Sequence, residues 1–160
     1  MAKRANREGS ISKRSDGRWE IKFYDMDGKR RTAYSKTQSD AREKLKSLNN
    51  QVDDGLDVTK NGTKFTDWLK TWLEVYARPS VKLSTYGSYH TYIFKHIEPT
   101  FPKVLLKDLK PDHLQLFLNE KLKSGRLDKV DGGLSKNTVR KIKVMIGTAL
   151  KQAVNNGMII

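Results

Sequence analysis

The spacing of apolar positions changes once along this chain. Over residues 10–36 apolar and polar side chains alternate, and from residue 37 onward the apolar ones recur every three or four positions. In the first region Trp19, Ile21 and Phe23 point to one side of an extended strand, and Arg18, Glu20, Lys22 and Tyr24 to the other. Two tight-turn signals, Asp16 with Gly17 and Asp27 with Gly28, divide it into the runs 10–14, 18–24 and 29–36. The pattern predicts a three-stranded antiparallel meander. The third run is ambiguous: either Ala33 and Ser35 face inward with Arg31, or Thr32 and Tyr34 do. The preference is for Ala33, which leaves Arg30, Thr32 and Tyr34 outward.

A helix is predicted next. Thr37 is its N-cap candidate with Asp40 three residues on, and Ala41, Leu45, Leu48 and Val52 form its apolar stripe. That stripe can cover Trp19, Ile21 and Phe23, which a three-stranded sheet alone cannot bury. Residues 55–63, GLDVTKNGT, hold two glycines and little periodicity, and read as a linker. Phe65, Trp68, Leu69, Trp72, Leu73 and Tyr76 then mark an amphipathic helix ended by Pro79. Ser84 is the cap candidate of a second, with Tyr89, Ile93 and Ile97 inward and Pro99 as its stop. Pro111 suits the first position of a third, lined by Leu114, Phe117, Leu118 and Leu122 and ended by Gly125. A polar loop over 126–133 leads to the last helix. The expected fold is an α+β N-terminal domain, a three-stranded antiparallel sheet plus one helix, followed by an all-α four-helix bundle. The expected boundaries are 1–54, a linker over 55–63, a helical domain over 64–157, and 158–160 as the start of a further linker. Residues 1–9 read as a flexible arm.

The last helix, within LSKNTVRKIKVMIGTALKQAVNNGM, carries two stripes. Val139, Ile142, Ile146, Ala149 and Ala153 form an apolar one; Lys136, Arg140, Lys143, Gly147 and Lys151 form a cationic one beside it. Ser135 is a good N-cap, and Asn137 and Thr138 lie in the first turn, where free backbone N–H groups favour anions. Gly147 interrupts the cationic stripe. A mid-helix glycine costs about 1 kcal/mol against alanine and lets a partner come close to the backbone.

Charge gives these patterns a direction. The chain holds 32 Lys and Arg against 18 Asp and Glu, a net charge of +14. The excess is uneven: residues 1–36 carry net +6 and residues 134–160 carry five basic groups and no acidic one. Two basic concentrations point to two surfaces for a polyanion. With no cysteine there is no disulfide and no cysteine metal site. No apolar run is long enough to span a membrane, and the start MAKRANREGS has no signal-peptide core. The expected setting is cytoplasmic, in a bacterium or encoded by a phage.

The order of parts resembles the N-terminal half of tyrosine recombinases, specifically the integrases of temperate phages and conjugative transposons. GRWEIKFYDMDGKRRTAYSKTQSDAREKL resembles their arm-type DNA-binding domain. The series FTDWLKTWLEVY, LSTYGSYHTYIFKHIEP, LKDLKPDHLQLFLNEKL and LSKNTVRKIKVMIGTALKQAVNNGMI resembles their core-binding domain. Phe101 and Pro102 stand where the family often has a glycine, and the 126–133 connection is longer than usual. The resemblance implies that the sheet enters a major groove at arm-type sites. It implies that the helical domain closes a C-shaped clamp on core-type DNA with a catalytic domain. That domain would begin just after Ile160 and carry the Arg, Lys, His, Arg and Tyr of the reaction, which proceeds through a 3′-phosphotyrosine without metal or cofactor. On this reading the chain is a fragment with no catalytic residue and no metal or cofactor. His90, His96 and His113 are packing or surface residues. Tyr24 and Tyr34 belong to the sheet, Tyr76 and Tyr89 to core faces, and Tyr86 and Tyr92 to a helix surface.

The expected DNA contacts are Arg14, Arg18, Glu20, Lys22, Tyr24, Arg30 and Tyr34 on the sheet. At the start of the second bundle helix they are Lys82, Thr85 and Tyr86, and on the last helix Lys136, Asn137, Thr138, Arg140 and Lys143. The expected partners are double-stranded DNA of both site types and other protomers of the integrase, with no membrane. The alternative is a non-enzymatic DNA-binding regulator whose bundle serves dimerisation. No RNA-recognition signature is present.

Overall fold

A computed structural model describes residues 8–128 and 132–160. The N-terminal arm, over residues 1–7, and the middle of the 126–133 loop fall outside the described residues. The chain divides into two compact units between Lys60 and Asn61.

The first unit is the predicted meander with its covering helix. Strands β1 (Ser10–Lys13), β2 (Trp19–Tyr24) and β3 (Arg30–Ser35) pair antiparallel in the order β1-β2-β3. Ser12 and Tyr34 flank Glu20, Ser10 and Thr32 flank Lys22, and Arg30 pairs with Tyr24. Gly17 and Gly28 take positive φ in the two turns, as the Asp-Gly signals require. Helix α1 (Gln38–Asp53) begins where Thr37 Oγ1 accepts the Asp40 N–H at 3.1 Å. It lays Ala41 and Leu48 against the sheet, where Ile21 and Phe23 are buried and Ala33 packs inward. Arg31 shares Ala33's face, and its Nε donates to Asp25 Oδ2 at 2.7 Å, so a cation at the sheet's inner edge is answered by a carboxylate 6 % exposed.

The stretch expected as a linker is partly ordered. Val58 opens a 3₁₀ turn (Val58–Lys60) and is buried against Phe23 and Leu48. A single valine among polar residues gives no period, so packing of this kind leaves no trace in a pattern search.

The second unit holds four helices. α2 (Phe65–Trp72) and α3 (Leu83–Thr91) each continue into a wider turn, Leu73–Ala77 and Tyr92–Ile97. Bonds from Arg78 N to Leu73 O and from Glu98 N to Ile93 O close those turns with the five-residue spacing of a π-helix. α4 (Pro111–Lys123) and α5 (Lys136–Asn155) complete the bundle, and Pro111 occupies the first helical position. Phe65, Leu69, Leu73, Ile93, Ile97, Phe117 and Ile142 form its centre. Phe101 sits between Phe65 and Phe117, with ring centroids 5.6 and 5.4 Å away. Trp68 Nε1 donates to the Ala149 carbonyl at 2.9 Å, fixing α2 on α5 while satisfying a buried donor.

Two expectations are corrected. Ser84 is not the cap of α3. The Lys82 carbonyl accepts the first helical bonds, from Thr85 and Tyr86, and the helix starts at Leu83. Lys82 has the extended backbone of a cap but makes no side-chain capping bond. Leu122 is 42 % exposed rather than core. With Leu114, Phe117 and Leu118 inward, the next core-facing position at about 100° per residue is 121, and 122 lies about a quarter-turn away. Lys121 fills that place: its side chain is 13 % exposed and its ammonium lies 5.5 Å from the Phe117 ring centroid.

Candidate nucleic-acid interface

Each unit carries one surface where the expected residues gather. On the sheet, alternation puts Glu20, Lys22 and Tyr24 on the face away from α1, and the register adds Ser12, Arg30, Thr32 and Tyr34. Arg14 and Arg18 flank the first turn at one end of this face. Their guanidinium carbons lie 5.5 and 5.2 Å from the Tyr34 ring centroid, so one phenol ring is held between two cations. Asp16 in the turn holds both. Its Oδ2 accepts Arg18 Nη2 at 2.8 Å and lies 3.3 Å from Arg14 Nε. The Arg18 hydrogen bonds hold the Asp16 carboxyl below its ordinary range. Exposed pairs of this kind add little stability, but they order long side chains. Glu20 bridges Lys22 Nζ at 2.9 Å and lies 3.9 Å from Arg14 Nη1. Arg30 and Tyr34 are exposed and Tyr24 is half-buried.

In the helical unit α3 and α5 border a groove of about 550 Å³. Ser84, Thr85, Ser88 and Tyr92 line it from α3 and its continuation, and Asn137, Arg140, Lys141 and Val144 from α5. Arg140 and Lys141 bring two cations, and no carboxylate is among the lining residues. The groove thus joins two stretches that the sequence presents separately, and Thr85, Asn137 and Arg140 meet as expected contacts.

The other expected residues divide. Lys136 is exposed in the first turn of α5. Lys143 borders a separate apolar recess of about 310 Å³ with Pro111, Leu114, Leu118 and Gly147. Thr138 serves the helix cap: its N–H donates to Ser135 Oγ at 3.1 Å and its hydroxyl lies 2.9 Å from the same oxygen. Lys82 is exposed before α3 and does not line the groove. Tyr86 turns to the other flank of α3, where its hydroxyl donates to Glu74 Oε1 at 2.6 Å. Hydrogen bonding to Glu74 raises the Tyr86 hydroxyl above its ordinary range.

Ser84, Ser88, Tyr92, Lys141 and Val144 line the groove without being among the expected contacts. The signal was present as spacing: 84, 88 and 92 share one flank of α3, and 137, 141 and 144 one flank of α5. Choosing that flank required knowing which helix lies opposite.

The histidines have separate roles. His90 stacks on Phe94 with centroids 4.3 Å apart, and His113 Nδ1 accepts the Lys110 N–H at 3.4 Å. His96 is 4 % exposed. Burial, with the Lys121 charge adding to it, pushes the His96 imidazole below its ordinary range. No group of three His, Cys, Asp or Glu residues suited to a metal occurs among the described residues. No helix among them is long and apolar enough to cross a membrane.

Residues 64–122, from the cap of α2 nearly to the end of α4, match the family described as phage integrase, N-terminal SAM-like domain. No curated protein and no solved structure matches the chain. The match lies within the helical unit, over α2 to α4, and supports the resemblance to the N-terminal region of tyrosine recombinases.

Proposed function

We propose that this chain is the DNA-binding part of a site-specific tyrosine recombinase that integrates or excises a mobile element or prophage. The sheet unit binds arm-type sites and the helical unit binds core-type DNA. The observation that carries the reading is the α3–α5 groove: Arg140, Lys141 and Asn137 face Thr85 and Ser88 without a carboxylate, and its α3 side lies within the residues that match an integrase domain. Lys136, Arg140, Lys141 and Lys143 meet phosphates, which supply affinity and orientation without sequence information. Asn137, Thr85 and Ser88 carry the donors and acceptors that base edges require. Tyr86, held by Glu74, leaves the contact set. On the sheet Arg14, Arg18, Lys22 and Arg30 provide charge, and Tyr34 presents its ring among them. The integrase match favours this reading over a regulator with a dimerisation bundle.

The test is a titration of the 160-residue chain against two duplexes, one with arm-type repeats and one with the crossover region. With about six phosphates neutralised, log K falls with log salt at a slope of about −5. Arg18→Ala with Lys22→Ala weakens only the first complex, and Arg140→Ala with Lys141→Ala only the second. Equal weakening of both complexes by either pair refutes the two-surface reading.

A further inference from the structure

Glu20 runs against the charge of its surroundings. It lies on the central strand, in register with Ser12 on one side and Tyr34 on the other, within a face that also carries Arg14, Arg18, Lys22 and Arg30. Asp16, the other carboxylate at that end, sits in the turn and is taken up by two guanidinium groups. Glu20 is instead at the middle of the face, with its side chain 17 % exposed. Lys22 is 2.9 Å from one of its oxygens and Arg14 3.9 Å from the other. A carboxylate here repels phosphate and so reduces affinity for any polyanion. It gains only where the partner offers a hydrogen-bond donor.

The major-groove edges of DNA offer two such donors, the amino groups of cytosine and adenine. The Lys22 hydrogen bond holds the Glu20 carboxyl below its ordinary range, so at neutral pH it is an acceptor only. Adenine sets an acceptor, N7, beside its amino group, and an acceptor-only side chain meets that atom unfavourably. Cytosine presents its amino group without one. A carboxylate has about four acceptor positions; Lys22 and Ser12 hydrogen-bond it and Arg14 stands at 3.9 Å, which leaves one or two for a base.

We propose that Glu20 is the specificity-determining residue of the sheet: it accepts a hydrogen bond from the amino group of a cytosine and, by its charge, lowers affinity for DNA that lacks that donor at the same position. This rests on the reading that the sheet's outer face enters a major groove. Lys22 and Arg14 position the carboxylate as well as meeting phosphate.

The experiment is sequence selection from a randomised duplex pool by the whole 160-residue chain, followed by titration of selected and unselected duplexes. The wild-type chain enriches a C·G pair at one position, with about a tenfold loss on replacing it. Glu20→Ala loses that preference and binds unselected DNA more tightly. Glu20→Gln, which offers a donor beside its acceptor, moves the preference to A·T. If Glu20→Ala keeps every preference and weakens all duplexes alike, Glu20 only orients its cations and the proposal is overturned. If Glu20→Ala keeps every preference while Arg18→Ala with Lys22→Ala still weakens binding, the sheet reading stands and this inference alone falls. If that double substitution also changes nothing, the sheet reading falls with it.

Discussion

Replacing Gly147 with alanine should make the helical unit more stable and a poorer DNA binder. Gly147 lies within α5 on the exposed cationic stripe, and a Cβ built there meets no atom within 4 Å. Nothing in the fold requires a glycine at this position. Alanine removes the cost of glycine's backbone freedom, about 1 kcal/mol in a helix interior. For a domain of about 100 residues that raises Tm by about 4–8 °C. A phosphate or sugar lying against the bare backbone would meet the new methyl group. By analogy with overpacking, the loss is about 1–3 kcal/mol of binding, a weakening of about 5- to 150-fold. Melting by circular dichroism and titration against the core-type duplex, run on the same preparations, separate the two effects. A raised Tm with unchanged affinity shows that DNA stays off this part of α5. A lowered Tm shows that the glycine serves the fold and that the open space beside it is misplaced.

Three further outcomes follow from the geometry. Gly133→Ala should unfold the bundle at much lower temperature, because its Cβ would lie 1.9 Å from the Leu122 carbonyl oxygen; the expected cost is about 1–3 kcal/mol, read as a melting shift. The helical unit should lose stability as pH falls below about 6.5, because burial depresses the folded His96 pKa and the unfolded chain takes up the proton first. That stability is complete above 6.5, and His96→Leu should flatten the dependence of Tm on pH in this window, whereas an unchanged profile shows that another group titrates. Lys136→Glu should stabilise α5 by about 0.3–1 kcal/mol, since an acid suits a helix N-terminus, while weakening core-type binding; melts and titrations together check it, and a gain in both refutes the contact.

Much of the fold was legible because it rests on short-range rules. The alternation of Trp19, Ile21 and Phe23, the two Asp-Gly turns and the Thr37 cap all concern neighbours within a few residues. They produced the sheet, its order and its covering helix. Pro111 marked a helix start for the same reason. The failures lie where a distant partner decides. Leu122 belongs to the apolar pattern of its helix, yet the turn of α4 puts the stem of Lys121 over Phe117 instead. Val58 packs under a sheet that lies far from it in sequence. For Tyr86 the sequence shows a place in the first turn of α3 but not which neighbour its hydroxyl meets. Glu74, on the preceding helix, draws it to the opposite flank.

The charges of α5 bring the local and the functional arguments together. Helix stability favours acids in the first turn and bases in the last. α5 has neither: it opens on Lys136 with no acid in its first turn and ends with no base in its last. The lone cation at the positive end of the macrodipole costs about 0.3–1 kcal/mol, offset by the Ser135 cap, worth about 1 kcal/mol. Lys136 is exposed there, and no ion pair to it is found among the described residues. The conflict resolves if an anion stands in front of the helix, since a phosphate near the first turn interacts favourably with the lysine, the dipole and the free N–H groups at once. Local rules broken without a structural gain are expected where a chain serves its ligand. In α5 the breach lies in the same turn as Asn137 and one turn before Arg140, both of which line the groove that gathers contacts predicted from separate parts of the sequence.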